Sequence, residues 1–127
     1  MAVKQVLIMR QFPSLRTGKY CSQAAHASVG ALLSCGTIIG ECLVIPMTDP
    51  FIKEWLTGSF RKITLYVKVE ESLIEIFNQA QEKGLPVSMI HDSGLTEFNN
   101  VRTLTAVGIG PAEDSLIDSI TGKLPLF

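Results

Sequence analysis

A chain of 127 residues is long enough to close one hydrophobic core and short for two, so residues 1–127 read as a single domain. A composition of 46% hydrophobic and 18% charged residues excludes a disordered chain. Eleven Lys+Arg against twelve Asp+Glu leave a net charge of −1, which excludes a blanket attraction to nucleic acid or anionic membrane. Any nucleic-acid surface has to come from local clustering of basic residues.

The predicted elements follow in order. Residues 4–10 (KQVLIMR) are a short apolar run with charged ends, expected as a strand buried on both faces. After the loop QFPSLRTG, residues 18–34 read as a helix of small and apolar side chains, apolar nearly all round and so expected to be buried on several sides. Residues 36–48 (GTIIGECLVIPMT) stay open between a connecting loop and a brief strand. Asp49-Pro50 marks a helix start, Asp as cap and Pro in the first turn, and Gly58 supplies the stop. Residues 61–69 (RKITLYVKV) alternate as a strand with Ile63, Leu65, Val67 and Val69 on one face. Glu70 and Glu71 open a helix that carries Leu73, Phe77 and Ala80 at helical spacing, and Lys83-Gly84 closes it. Strands at 86–92 and 103–110 follow, then a short helix at 112–121 and the tail TGKLPLF. The order is α/β, with a parallel crossover required between the second and third strands. The ten-residue connection before the fourth strand is long for a tight hairpin and is expected to be a functional loop.

Cys21, Cys35 and Cys42 form no C-x-x-C pair and are odd in number. The helix-like or apolar setting of two of them predicts buried thiols in a reducing compartment. Two histidines are too few for a metal site, and neither a metal nor a cofactor is expected. No signal-peptide pattern opens the chain, and the apolar run at 6–9 is far too short to span a bilayer, so the expected location is cytoplasmic.

RTGKYCSQAAHASVG (16–30) places a Gly-Lys at a helix start behind an apolar strand, as a P-loop does. A P-loop also needs a glycine five residues before its Gly-Lys and a hydroxyl after it. Pro13 and Tyr20 stand there instead, and the strand ends in Arg10 rather than leading to an acid. The nucleotide-cradle reading therefore fails. What remains is a stripe of Lys19, Gln23 and His26 at i, i+4 and i+7. The stripe fits a site as well as it fits polar groups bonded to the backbone of a buried helix. HDSGLTEFNN (91–100) is a second polar concentration. Asp92 ends a predicted strand, where open α/β sheets place ligands, although Asp-Ser-Gly is also ordinary turn chemistry.

Together, GKYCSQAAHA (18–27), IKEWLTGSFRKITLYVKV (52–69), LPVSMIHDSGLTEF (85–98) and TAVGIGPAEDSLIDSITGKLPL (105–126) resemble the archaeal and eukaryotic type of peptidyl-tRNA hydrolase. The resemblance implies an α/β fold with a four-stranded mixed sheet flanked by helices on both faces. It implies hydrolysis of the ester between a peptide and the 3′-terminal ribose of tRNA, with peptidyl-tRNA as partner, no membrane, and a homodimer. Carried over by position, the catalytic set is Lys19, Gln23, Asp92, Thr96 and Thr105. Arg10, Arg16, His26 and Gly94 are expected on the substrate-binding side.

The chain departs from the family pattern in three places. Arg16 and Thr17 stand where a glycine and a lysine are usual, Leu95 where an arginine is usual, and Glu97 where a glutamine is common. Loss of a cation and gain of an anion weaken phosphate contacts. Beside the hydrolase, the departures leave a second reading: a binding module of the same fold without hydrolysis.

Overall fold

The computed structural model describes residues 2–95 and 97–127; Met1 and Thr96 lie outside the described residues. The apolar run near the start forms β1 (Val3–Arg10), buried from Val3 to Met9 because it has a strand on each side. One neighbour is β4 (Lys62–Val67), parallel to β1, with Val6 opposite Ile63. The other is β6 (Thr103–Glu113), antiparallel, with Val6 opposite Ile109. The last strand, β5 (Val87–Asp92), pairs antiparallel with β6 and completes a mixed sheet in the order β4-β1-β6-β5. The expected parallel crossover is present: β4 and β5 run parallel and are joined through a helix, although they form opposite edges of the sheet and the adjacent parallel pair is β1 and β4. An edge strand is half-covered, which is why β5 is only partly buried.

Strand alternation divides the core between two faces. Val6 and Ile8 point to the face covered by α3 (Glu70–Glu82) and α4 (Asp114–Thr121), against Leu73, Ile76, Ala80 and Ile117. Burial of each such Leu or Ile contributes about 1.5–3 kcal/mol. Leu7 and Met9 point to the other face, against Tyr20, Ala24 and Ala27 of α1 (Thr17–Leu33). The sheet thus carries helices on both faces, an α/β fold.

The small residues of α1 do not mean burial on several sides. Gln23, Ala27, Ser28 and Ala31 are buried while Cys21, His26 and Val29 are exposed, so one face is covered. Small size serves close approach instead. A Cβ on Gly108 of β6 would lie 2.3 Å from the Ala27 carbonyl oxygen, so the helix backbone rests directly on the strand. Ser88 bridges the contact, its Oγ donating to the Ala27 carbonyl at 2.8 Å and accepting from the Gly108 N–H at 3.2 Å.

Asp49 caps α2 (Pro50–Thr57) by accepting from the Phe51 and Ile52 N–H groups. Residues 36–48 contain a separate hairpin, β2 (Thr37–Ile39) with β3 (Cys42–Val44), turning at Gly40 with φ +62 and exposed along both strands. Val69 lies beyond β4 as the N-cap of α3 and is exposed, so the alternation of 61–69 ends at Val67. The thiols also differ from expectation. Cys21 and Cys42 are exposed and Cys35 is half-buried, its pKa pushed up mainly by burial. The tail pairs along the outer edge of β4, through Tyr66 N–H to Pro125 O and Phe127 N–H to Thr64 O, and covers an edge otherwise open to pairing. No helix among the described residues is long and apolar enough to cross a membrane.

Candidate active site

Three elements bring four polar side chains together. The first turns of α1 carry Lys19 and Gln23, the end of β5 carries Asp92, and β6 carries Thr105. Thr105 reaches the α1 face through an irregularity in the ladder. Ile90 pairs with Ala106 and His91 with Leu104, so Thr105 is skipped and turns toward the helix.

The bonding runs in one direction. Thr105 Oγ1 donates to Gln23 Oε1 at 2.6 Å, which leaves the amide NH₂ facing the acid; Gln23 Nε2 donates to Asp92 Oδ2 at 3.0 Å. Lys19 Nζ meets the same Oδ2 at 2.6 Å, and the Gly94 N–H donates to Oδ1 at 2.8 Å. Gln23 and Thr105 are each 2% exposed and Asp92 9%, so unsatisfied groups here would be costly, and the network satisfies them. The hydrogen bond from Lys19 holds the Asp92 carboxyl below its usual range. Burial opposes it, while the Gly94 N–H, the charge of Lys19 and the Gln23 amide add to the lowering. Asp92 is therefore an oriented anion and a weak base. Among the described residues, three of about four acceptor positions of the carboxylate are used, which leaves one for a further donor.

The mouth is formed by the loops before α1 and after β5. Tyr20 Oη takes the Phe12 N–H at 2.8 Å and donates to the Phe12 carbonyl at 3.1 Å, tying down the first loop. Phe12 packs on Phe98 of the second loop, ring centroids 4.9 Å apart. Gly94 has φ +85, and a Cβ there would lie 2.2 Å from the Val101 carbonyl oxygen, so the second loop closes on itself only with glycine. Arg16, Gly18, Lys19, Ser22 and Glu97 line a shallow pocket of 320 Å³ beside the acid.

The model of the family described as Peptidyl-tRNA hydrolase PTH2 matches residues 3–127. The chain belongs to this family. It is 37% identical over 124 residues to the peptidyl-tRNA hydrolase of Methanopyrus kandleri, covering 98% of this chain and 97% of that one. It is 40% identical over 124 residues to the peptidyl-tRNA hydrolase of Staphylothermus marinus, covering 98% and 94%. Against the peptidyl-tRNA hydrolase of Methanocaldococcus jannaschii it is 36% identical over 125 residues, covering 98% and 100%.

For this member of the peptidyl-tRNA hydrolase family, the expected residues separate into three groups. Lys19, Gln23, Asp92 and Thr105 stand together, with Gly94 donating from the backbone. His26 does not join them: it is exposed and about 60° round the helix from Gln23, one turn before Gly30, whose Cβ position meets Ser88 and Ile90 of β5. Arg10 and Arg16 lie at the periphery. Arg10 donates to the Leu104 carbonyl at 3.3 Å and lies 4.8 Å from the Phe12 ring centroid, while Arg16 Nε donates to Glu97 Oε1 at 2.5 Å. Thr96 is outside the described residues. The tethering role of Tyr20 and the close contact at Gly108 left no mark in the sequence beyond residue type: the first depends on how the loop before α1 folds back on the helix, the second on a neighbour 81 residues away.

Proposed function

We propose that this chain hydrolyses the ester bond of peptidyl-tRNA, or of N-blocked aminoacyl-tRNA, at the Lys19–Gln23–Asp92–Thr105 cluster, and that residues 1–127 act as one catalytic domain. Family membership across residues 3–127 supports the reaction. The observation that carries the site is the ionised Asp92 held between Lys19 and Gln23 at the mouth of two loops. In the reaction a water oxygen bonds to the peptide carbonyl carbon, the bond from that carbon to the ribose oxygen breaks, and the ribose oxygen leaves with a proton. Asp92, a weak base held anionic, orients the attacking water through its remaining acceptor position. Lys19 stabilises the negative charge that develops on the carbonyl oxygen or the departing ribose oxygen. Gln23 and Thr105 hold Asp92 in its rotamer, and the Thr96 hydroxyl contacts the ester or ribose. Arg10 and Arg16 meet the tRNA backbone.

Release of tRNA from N-acetyl-aminoacyl-tRNA tests this reading. Lys19→Ala and Asp92→Ala should each lower kcat by about 10²-fold or more with the fold retained. Near-normal turnover in both variants removes the mechanism, and no release by the wild-type protein removes the function in favour of a binding module. The cytoplasm is the compartment this substrate requires, and the three free thiols suit it. A homodimer through the β2–β3 hairpin accounts for the exposed Ile38, Ile39 and Leu43.

A further inference from the structure

The pocket beside Asp92 is lined by two cations, Arg16 and Lys19, and each faces a carboxylate. Lys19 is paired with Asp92 inside the site. Arg16 is paired with Glu97 across the mouth, 81 residues away in sequence, linking the loop before α1 to the loop after β5. The two partners are unequally placed: the Arg16 side chain is 78% exposed and that of Glu97 only 11%. Solvent therefore meets a guanidinium whose charge is already countered from behind. On the same loop Leu95 is 76% exposed, an apolar side chain at the rim. Arg10 is turned inward on Phe12 and the Leu104 carbonyl. The electrostatics of this rim thus depend on what Glu97 does to Arg16.

We propose that Glu97 sets the affinity for tRNA by acting through Arg16, holding its guanidinium until a phosphate of the tRNA displaces the carboxylate. This rests on the reading of the chain as a peptidyl-tRNA hydrolase. The exposed guanidinium is open to an incoming anion, while the sheltered carboxylate is the partner that loses by the exchange. A phosphodiester offers the guanidinium the same planar, two-oxygen acceptor geometry as a carboxylate. After the exchange Glu97 is left sheltered, anionic and close to the incoming phosphate. That opposes binding and makes tRNA affinity weaker than Arg16 alone would give. A ligand without a phosphate at this position has nothing to displace Glu97, and the strap between the two loops stays closed. Glu97 thus lowers the affinity for substrates that bring a phosphate next to the ester, through its hold on Arg16.

The experiment is a double-mutant cycle on the binding of deacylated tRNA, read by fluorescence anisotropy between about 50 and 200 mM salt. Wild type, Glu97→Gln, Arg16→Gln and the double variant are compared, and KM for N-acetyl-aminoacyl-tRNA is measured for each. Glu97→Gln keeps an acceptor for Arg16 but removes the charge. It should tighten tRNA binding about fivefold and steepen the slope of log K against log salt by about 0.7–0.9, one phosphate contact. The kinetic gain should lie in KM rather than kcat. With Gln at position 16, the same change at position 97 should give a clearly smaller gain and little change in slope. Equal gains in both backgrounds would mean simple repulsion by Glu97 and would overturn the proposal, as would no gain in either. Wild-type protein that neither binds nor hydrolyses its tRNA substrate refutes the underlying function instead, so the two failures are told apart.

Discussion

Gly108 is where the fold sets the position of the candidate site, and replacing it with alanine tests that link. An added Cβ would lie 2.3 Å from the Ala27 carbonyl oxygen, 2.8 Å from its carbon and 2.9 Å from Ser88 Oγ. Real Cβ contacts are essentially never under 3.0 Å, and the first two neighbours are backbone that cannot rotate away. Helix α1 must therefore lift from β6 by at least about 0.7 Å, in an interior packed too densely to absorb the move locally. Overpacking of this kind costs about 1–3 kcal/mol. Replacing glycine by alanine returns about 0.4–1 kcal/mol through the unfolded chain, which leaves a net loss of about 1–2 kcal/mol. Gly18 gives the contrast: it has nothing within 4 Å of its Cβ position and lies in the first turn of the same helix. Gly18→Ala should leave stability unchanged or raise it by up to about 1 kcal/mol. Urea denaturation measures both. Because α1 carries Lys19 and Gln23 against Asp92 and Thr105, the lift should also lower tRNA release by Gly108→Ala by about 10²-fold, at temperatures where the variant remains folded. A Gly108→Ala protein as stable as the wild type within about 0.5 kcal/mol would refute the close-packing account.

Two further outcomes follow from particular groups. The Asp92 carboxyl is depressed, chiefly by its hydrogen bond from Lys19, so its stabilisation is complete above the unfolded value near 3.9 and lost as pH falls through the folded one. Urea melts of wild type and Asp92→Asn should differ by a constant amount above about pH 5 and converge below about pH 4; a gap that already closes between about pH 5 and 7 contradicts the assignment. Ile38 is 77% exposed on a hairpin that packs into neither face of the main sheet, and sedimentation should show Ile38→Glu shifting a dimer to monomer without changing thermal stability at low concentration. A wild-type protein that sediments as a monomer at micromolar concentration removes the dimer.

Much of the element order was legible because its causes are local. Asp49-Pro50 announces α2 through a cap that spans two and three residues, and Glu70-Glu71 starts α3 for the same kind of short-range reason. The candidate residues were legible as motifs, although periodicity alone put Lys19, Gln23 and His26 on one stripe without saying which margin of it faces the sheet. A helical wheel carries no information about where the edge strand ends. The thiols and the apolar character of α1 were misread for a related reason: small side chains signal either all-round burial or one very close contact, and Gly108, 81 residues after Ala27, decides between them.

Alone, the sequence determined what is set by neighbours a few residues apart: caps, strand and helix periods, turn residues, and the list of polar groups available for chemistry. Only the tertiary structure decided the strand order β4-β1-β6-β5, the skipped Thr105 that turns to Gln23, and the exposure of His26. It alone joined Gln23 to Asp92 across 69 residues and Arg16 to Glu97 across 81. The reason is that a charge or hydrogen bond acts over a few ångströms of space, and spatial neighbours so distant along the chain are chosen by how the sheet is ordered and how closely the helices pack on it.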